Sequence, residues 1–405
     1  MPGGNTRSWT HFDPYPLVFS RAEGAYLWDA DGNRYIDLFY NGLSIIHGHS
    51  FEPIQRAIKE ALDRGAPWQG ASDKQVEFAE LLCRRIPTVE RVFFTNSGTE
   101  AAMLAAKLAR ALTRRPLILK AWGAYHGTYE DFEAGLIGHE ELPDRVVLAE
   151  FGNAEAFEQV LVNHAGRVAA VFVEPVMYTE SVLPPPPDFL HRVQAAARAA
   201  GALFVIDDCL MFRLAEAGSQ ERFDLQPDLT VLGKFIGAGV PVGVVGGPEK
   251  HMELLDPRRP GYLEHGGSYN GNLVGMTAGI VNLEHLTAKK IEEMDRRTEK
   301  LAEALHQKAK ALGIPFAISR AGSVMGLYFA ERPATPPRRN QQTALQQQFR
   351  LACLNHGIAA GPSGQAALAT MLDDRVLEEV IGGFTAALEE VAPLAAQSSA
   401  KQKAI

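Results

Sequence analysis

The chain is 405 residues long, with 46% hydrophobic and 22% charged residues. That length allows about two to three domains at roughly 150 residues each, and a large buried core. A formal net charge of −8 argues against a nucleic-acid or anionic-membrane partner, and the basic stretch Arg332–Arg339 reads most simply as a solvated loop.

Three scattered cysteines (Cys83, Cys209, Cys353) give neither metal spacing nor a disulfide framework. There is no apolar signal segment at the N-terminus and no run long enough to span a membrane, so the expected location is the cytoplasm. Residues 1–21 are polar and rich in Pro and Gly, which predicts an extended arm. Gly24–Leu38 reads as a hairpin turning at Asp29–Asn33; that turn resembles part of a calcium loop but lacks the remaining oxygen ligands. His47-Gly48-His49 has no third metal ligand nearby and reads as a loop.

Phe51–Arg64 and Lys74–Arg85 carry helical apolar spacing. Arg91–Thr95 is a buried strand, after which Asn96–Glu100 opens a helix over Ala101–Leu112. Strands are expected at Leu117–Lys120, Val146–Glu150, Val168–Val173, Ala202–Ile206 and Leu229–Leu232, with helices at Ala154–His164 and Asp188–Ala200. Such alternation implies a mostly parallel sheet covered on both faces. Beyond Gly247 come helices at Asn272–His285 and Ala288–Leu312, strands within Phe316–Ala330, a helix at Gln341–Asn355, strands within Ile358–Met371 and a helix at Asp373–Val391. This is an α+β pattern, and Leu394–Ile405 reads as a frayed tail.

Candidate chemistry gathers where strands end. Asp207 and Lys234 each follow a short apolar run, and strand C-termini in a parallel sheet open onto one crevice. A carboxylate and a lysine so placed suit pyridoxal 5'-phosphate (PLP): the lysine forms an imine with the cofactor aldehyde, and the carboxylate keeps the pyridine nitrogen protonated. The same pair would also serve as a plain salt bridge at a sheet edge. Ser97-Gly98-Thr99 lies between strand and helix, where amides and hydroxyls suit a phosphate, or equally a plain N-cap. Tyr125-His126-Gly127 offers an aromatic face for a planar ring, and Glu174-Pro175 ends another strand on the same side. Gly237-Ala238-Gly239 lacks the third glycine of a dinucleotide fingerprint, and Gly233-Lys234 lacks the rest of a Walker motif.

The order Asn96–Ala101, Tyr125–Gly127, Glu174-Pro175, Asp207-Asp208, Gly233-Lys234 and Gly267–Asn272 resembles the class III aminotransferases of PLP fold type I, including the glutamate-1-semialdehyde aminomutase group. Pro2–Ser8 and Tyr40–Ser50 are most similar to the β-amino-acid, β-phenylalanine-type members. The resemblance implies an α/β fold: a large PLP-binding domain over residues 51–285 with a seven-stranded, mostly parallel sheet. The smaller α+β domain would comprise 286–393 and the N-terminal arm and hairpin of 1–50, with 394–405 as the tail.

It further implies Lys234 as the Schiff-base lysine, Asp207 as partner of the pyridine nitrogen, and Ser97, Gly98 and Thr99 on the phosphate. Tyr125 would cover the ring, with His126 and Glu174 also at the cofactor. Ser268 would reach the neighbouring subunit's phosphate, which requires a homodimer with active sites at the interface. Arg7, Tyr40 and Tyr178 would meet substrate, Arg7 through its carboxylate. No metal is implied. Departures from the family pattern stand at Asp208-Cys209, Leu210–Arg213, Tyr178–Glu180 and Gly361–Gly364, where an arginine expected after a proline is replaced by Ser363. Losing that guanidinium removes a bidentate carboxylate clamp and bears on the substrate rather than on the cofactor.

The expected activity is transfer of an amino group between an amino acid or amine, such as a β-amino acid, and a keto acid. An aminomutase or a racemase would use the same cofactor residues. An inactive PLP-binding protein would keep the cofactor cluster without turnover, and a dehydrogenase would replace PLP with a nicotinamide.

Overall fold

The computed structural model describes residues 1–7, 10–11, 16–66, 68–136, 139, 143–179, 182–330 and 344–403. The basic stretch Arg332–Arg339, expected as a solvated loop, and Glu180, one of the departures from the family pattern, lie outside them. The chain divides into two units, one of Glu52–Glu180 with Pro184–Ile291 and one of Met1–Phe51, Ser181–Leu183 and Glu292–Ile405.

The strands in chain order are β1 (Phe19–Glu23), β2 (Tyr26–Asp29), β3 (Arg34–Asp37), β4 (Arg91–Thr95), β5 (Leu117–Ala121), β6 (Val146–Ala149) and β7 (Val168–Val173). They continue with β8 (Leu203–Asp207), β9 (Leu229–Leu232), β10 (Gly243–Gly247), β11 (Ala317–Ala321), β12 (Val324–Tyr328), β13 (Ile358–Ala359) and β14 (Gln365–Ala367).

In the first unit, seven strands form one sheet in the order β4-β10-β9-β8-β7-β5-β6. Only β10 runs against its neighbours. Cross-strand register puts Lys120, Phe172, Val205 and Leu229 in one row, and Asp207, Val231 and Val245 in the next row of the same face. The helix Gly98–Thr113 covers that face with Ala101, Ala102, Leu104, Ala105, Ala106, Leu108 and Ala109. Alanines let the helix approach the sheet closely, while each buried leucine contributes about 1.5–3 kcal/mol.

Strand β10 was not expected, because Gly-Val-Val-Gly-Gly scores poorly as a strand. Packing explains it: a Cβ on Gly243 would lie 2.0 Å from the Ser97 carbonyl oxygen, and one on Gly246 2.9 Å from Val89. Glycine is what admits this strand against its neighbours.

The other unit contains the expected hairpin, widened to four strands in the order β1-β2-β3-β13. Its turn is held by Asp29, whose Oδ1 accepts from the amides of Asp31 (3.0 Å) and Asn33 (2.8 Å). His47 Nδ1 pairs with Thr370 Oγ1 at 2.7 Å and His49 Nε2 with Asp37 Oδ2 at 2.7 Å, so both rings serve the loop's packing. A three-stranded sheet, β11-β12-β14, completes the unit.

Two expectations need correction. The N-terminal arm is not uniformly extended: Pro2–Gly4 forms a 3-10 turn, and its end becomes β1. The last helix runs over Asp374–Lys403, past its expected end at Val391. Leu388, Val391 and Ala395 continue its apolar stripe into the core, which keeps the helix going past Pro393.

Candidate active site

Asp207 is the last residue of β8 and lies beside Val231 of β9; Lys234 follows β9 by two residues. Lys234 takes φ +55°, a left-handed conformation costing a side-chain-bearing residue about 1–3 kcal/mol, which a functional position can sustain. Its charge acts on Asp207 and on Glu174 at once, so the three groups share one site.

Asp207 is buried. Burial alone would raise its carboxyl, but the hydrogen bond from His126, then the Lys234 charge and the Cys209 contact, hold it below the ordinary aspartate value. His126 Nδ1 lies 2.9 Å from Asp207 Oδ2, and the Cys209 amide donates to Oδ1 at 3.2 Å. An ionised carboxylate only accepts, so the imidazole proton sits on Nδ1. His126 Nε2 is buried with no hydrogen-bond partner among the described residues. Burial, outweighing Asp207, lowers the His126 pKa, which keeps the ring neutral.

The helix Gly98–Thr113 begins at the open end of β4. Ser97 is its N-cap, its Oγ accepting from the Glu100 amide at 3.1 Å. Ala101 makes the first intrahelical bond, back to the Ser97 carbonyl, which leaves the amides of Gly98 and Thr99 outside the ladder. A Cβ on Gly98 would meet Cys209 Sγ at 2.8 Å, so this loop lies directly on the β8 and β9 ends. A bare backbone with two uncommitted amides at a helix N-terminus suits a phosphate.

The loop after β5 closes over the same place. Gly127 takes φ +119°, and a Cβ there would lie 2.6 Å from Thr99 Oγ1, so only glycine fits. The Thr128 amide donates to Thr99 Oγ1 at 3.3 Å, and the Tyr125 hydroxyl pairs with Thr128 Oγ1 at 3.0 Å. Tyr125 is half-buried, and its amide donates to Glu174 Oε2 at 3.3 Å. Burial and then the Asp207 charge push Glu174 up to about 8. Ser97, Gly98, Thr99, Tyr125, His126, Glu174, Asp207 and Lys234 thus form one connected cluster.

Of the remaining expected residues, Ser268 and Tyr178 belong to the same unit as the cluster. Ser268 is exposed, on a loop tied back by the Asn96 Nδ2 to Asn270 Oδ1 bond of 2.9 Å. Tyr178 is half-buried beside Thr179, whose hydroxyl donates to the Gly123 carbonyl at 2.6 Å. Arg7 and Tyr40 belong to the other unit. There Arg7 Nη1 donates to Asn41 Oδ1, and residues Tyr40 to Leu43 all have positive φ.

Of the departures, Asp208 turns from the cluster: it is fully buried, and its Oδ2 accepts from the Ser219 amide at 2.8 Å. Cys209, by contrast, fills the space between Gly98 and Gly233. Sequence reasoning missed Lys120. Its ammonium is fully buried, donating to the carbonyls of Phe132 (2.6 Å) and Ala134 (2.8 Å), and burial lowers its pKa to about 8. A lysine inside an otherwise apolar strand was the only available signal.

The model of the family described as "Aminotransferase class-III" matches residues 10–132 and 141–389. The chain is 31% identical to a protein of Aquifex aeolicus named glutamate-1-semialdehyde 2,1-aminomutase, covering 96% of this chain and 97% of the relative. It superposes on an ω-transaminase from Sphaerobacter thermophilus with a TM-score of 0.92 at 32% identity, over 96% of this chain and 95% of the other. Against a β-phenylalanine aminotransferase from Variovorax paradoxus the TM-score is 0.91 at 32% identity, over 97% and 92%. The sheet with its single reversed strand, the cluster at its C-terminal ends and these matches agree: the chain belongs to the class III aminotransferases, PLP-dependent enzymes of fold type I.

Proposed function

We propose that this chain transfers an amino group between a β-amino acid and a keto acid, with Lys234 as its covalent lysine and Asp207 as the acid beneath the cofactor ring. The observation that carries this reading is Asp207: a buried carboxylate kept ionised, one strand away from Lys234. When bound, PLP supplies an aldehyde for a lysine amine and a protonated pyridine that accepts an electron pair.

The residues present fit that group. The amides of Gly98 and Thr99 with the Ser97 hydroxyl would bind its phosphate, where a side chain on residue 98 would collide with Cys209. Asp207 would accept a hydrogen bond from the pyridine N–H, with His126 holding the carboxylate in place. Tyr125 would cover one face of the ring, its backbone fixed by Glu174. Lys234 Nζ, as a free amine, would take the proton from the amine-bearing carbon of the substrate and deliver it to the cofactor's C4′ carbon, and would run the same transfer in reverse for the keto acid.

Arg7 would bind the substrate carboxylate, with Tyr40 and Tyr178 lining the same region. The enzyme would act as a cytoplasmic homodimer in which Ser268 reaches the partner's phosphate; the exposed setting of Ser268 supports that role. Among the described residues, no helix is long and apolar enough to cross a membrane.

The test is to supply the purified protein with PLP and a β-amino acid, with and without a keto acid. Product that depends on the keto acid supports transamination. An aminomutase, the reading favoured by the Aquifex relative, would instead turn over one substrate carrying both amine and carbonyl, with no added acceptor.

A further inference from the structure

Lys120 has no place in the exchange just described, yet it is an ammonium with no exposed surface. Burying such a charge costs several kcal/mol unless it is hydrogen-bonded, and an aliphatic residue would fill the same strand position without that cost. Its two acceptors belong to a four-residue helix, Glu130–Glu133, and the residue that ends it. A helix so short has little stability of its own and takes its place from what binds it.

The first of the two anchored carbonyls is that of Phe132. Its ring meets the His126 ring edge-on at 5.7 Å, and Phe172 packs against both, at 5.1 Å and 5.7 Å. His126 has a single polar contact, to Asp207, and no partner on Nε2 among the described residues. These two aromatic rings pack against the buried imidazole and help to confine it. The charged or titratable groups around this assembly are Glu174 just after β7, Glu133 and the buried Asp131 of the short helix, Tyr129 against the Phe132 ring, and Asp207 with Lys234 beyond His126. Asp131 is paired with Arg110 at 2.7 Å and Arg145 at 3.1 Å, which also hold the short helix.

We propose that Lys120 is a positioning residue for the cofactor's acid: by tethering the Phe132 and Ala134 carbonyls it holds the Phe132 ring against His126, and so fixes the imidazole that orients Asp207. The inference rests on the aminotransferase reading, in which Asp207 keeps the pyridine nitrogen protonated. A looser Asp207 leaves that nitrogen less fully protonated. With less positive charge on the ring, the lysine-bound cofactor gives up its proton at a higher pH.

The experiment uses two variants of the full-length enzyme reconstituted with PLP. Lys120→Met removes the tether and its charge, whereas Phe132→Leu removes the transmitting ring and leaves every charge in place. For each, one measures the pH midpoint of the bound cofactor's visible absorption, the unfolding temperature, and kcat with KM for the amino donor. The expectation is an upward shift of the midpoint in both variants, with a fall in kcat on the order of 10²-fold and little change in KM.

Should Lys120→Met not fold, the Phe132→Leu midpoint decides the matter alone. Lower unfolding temperatures with unmoved midpoints would reduce Lys120 to a structural role and overturn the proposal. A shift confined to Lys120→Met would overturn it too, since charge and not position would then be responsible. A wild-type protein without any PLP absorption would instead refute the aminotransferase reading, which keeps the two failures distinct.

Discussion

Gly98 and Gly233 approach so closely that a Cβ on Gly233 would stand 3.0 Å from the Gly98 Cα, with Cys209 Sγ 3.1 Å away. The start of the covering helix, the segment leading into Lys234 and the residue after Asp208 thus meet at a single point. A methyl group on Gly98 would lie 2.8 Å from that sulfur. Gly98→Ala should therefore destabilise the protein by about 1–3 kcal/mol and weaken PLP binding, as overpacking does. Adding Cys209→Ala removes the sulfur, and the double variant should recover most of both losses. Thermal unfolding and PLP titration of the four proteins check this; a double variant no better than Gly98→Ala would assign the damage to another cause.

Asp208 provides a pH signature. Burial, the largest influence, raises its carboxyl from 3.8 to about 7, against the pull of its Ser219 hydrogen bonds. The folded state therefore binds this proton more tightly than the unfolded chain does. The stability it contributes is complete below about pH 4 and is lost as pH rises through about 7. Asp208→Asn keeps an acceptor for the Ser219 amide and does not titrate. Between pH 4 and 7, stability of the cofactor-free wild type should fall relative to this variant by up to about 1.4 kcal/mol per pH unit. Parallel denaturant-unfolding profiles across that window would show that Asp208 titrates normally.

Arg7 distinguishes substrate classes. Its guanidinium donates to Asn41 in a segment where four consecutive residues have positive φ, a conformation side-chain-bearing residues seldom adopt. If Arg7 binds the carboxylate, Arg7→Ala should raise KM for amino acids on the order of 10-fold or more, as expected when a charged hydrogen bond worth about 1.5–3 kcal/mol is lost. Plain amines should be nearly unaffected. Equal losses for both substrate classes would remove Arg7 from the carboxylate site.

How much could be read from residues alone followed the strength of the local signal. Val168–Val173 and Ala288–Leu312 match to the residue, because unbroken apolar runs and helical periodicity need no tertiary help. Asp207 and Lys234 were legible for a related reason: each charge ends or follows an apolar strand. By contrast, β10 is a strand only because Gly243 and Gly246 fit under Ser97 and Val89, which no local propensity encodes. The positive-φ run at Tyr40–Leu43 and the burial of Lys120 are likewise set by the surrounding fold.

One covalent bond decides the central claim. Borohydride reduction of the PLP-loaded protein, followed by peptide mapping, should place the whole label on the Lys234 peptide, and Lys234→Ala should take up none and be inactive. Label on Lys120 or any other lysine, or full turnover by Lys234→Ala, would contradict the account.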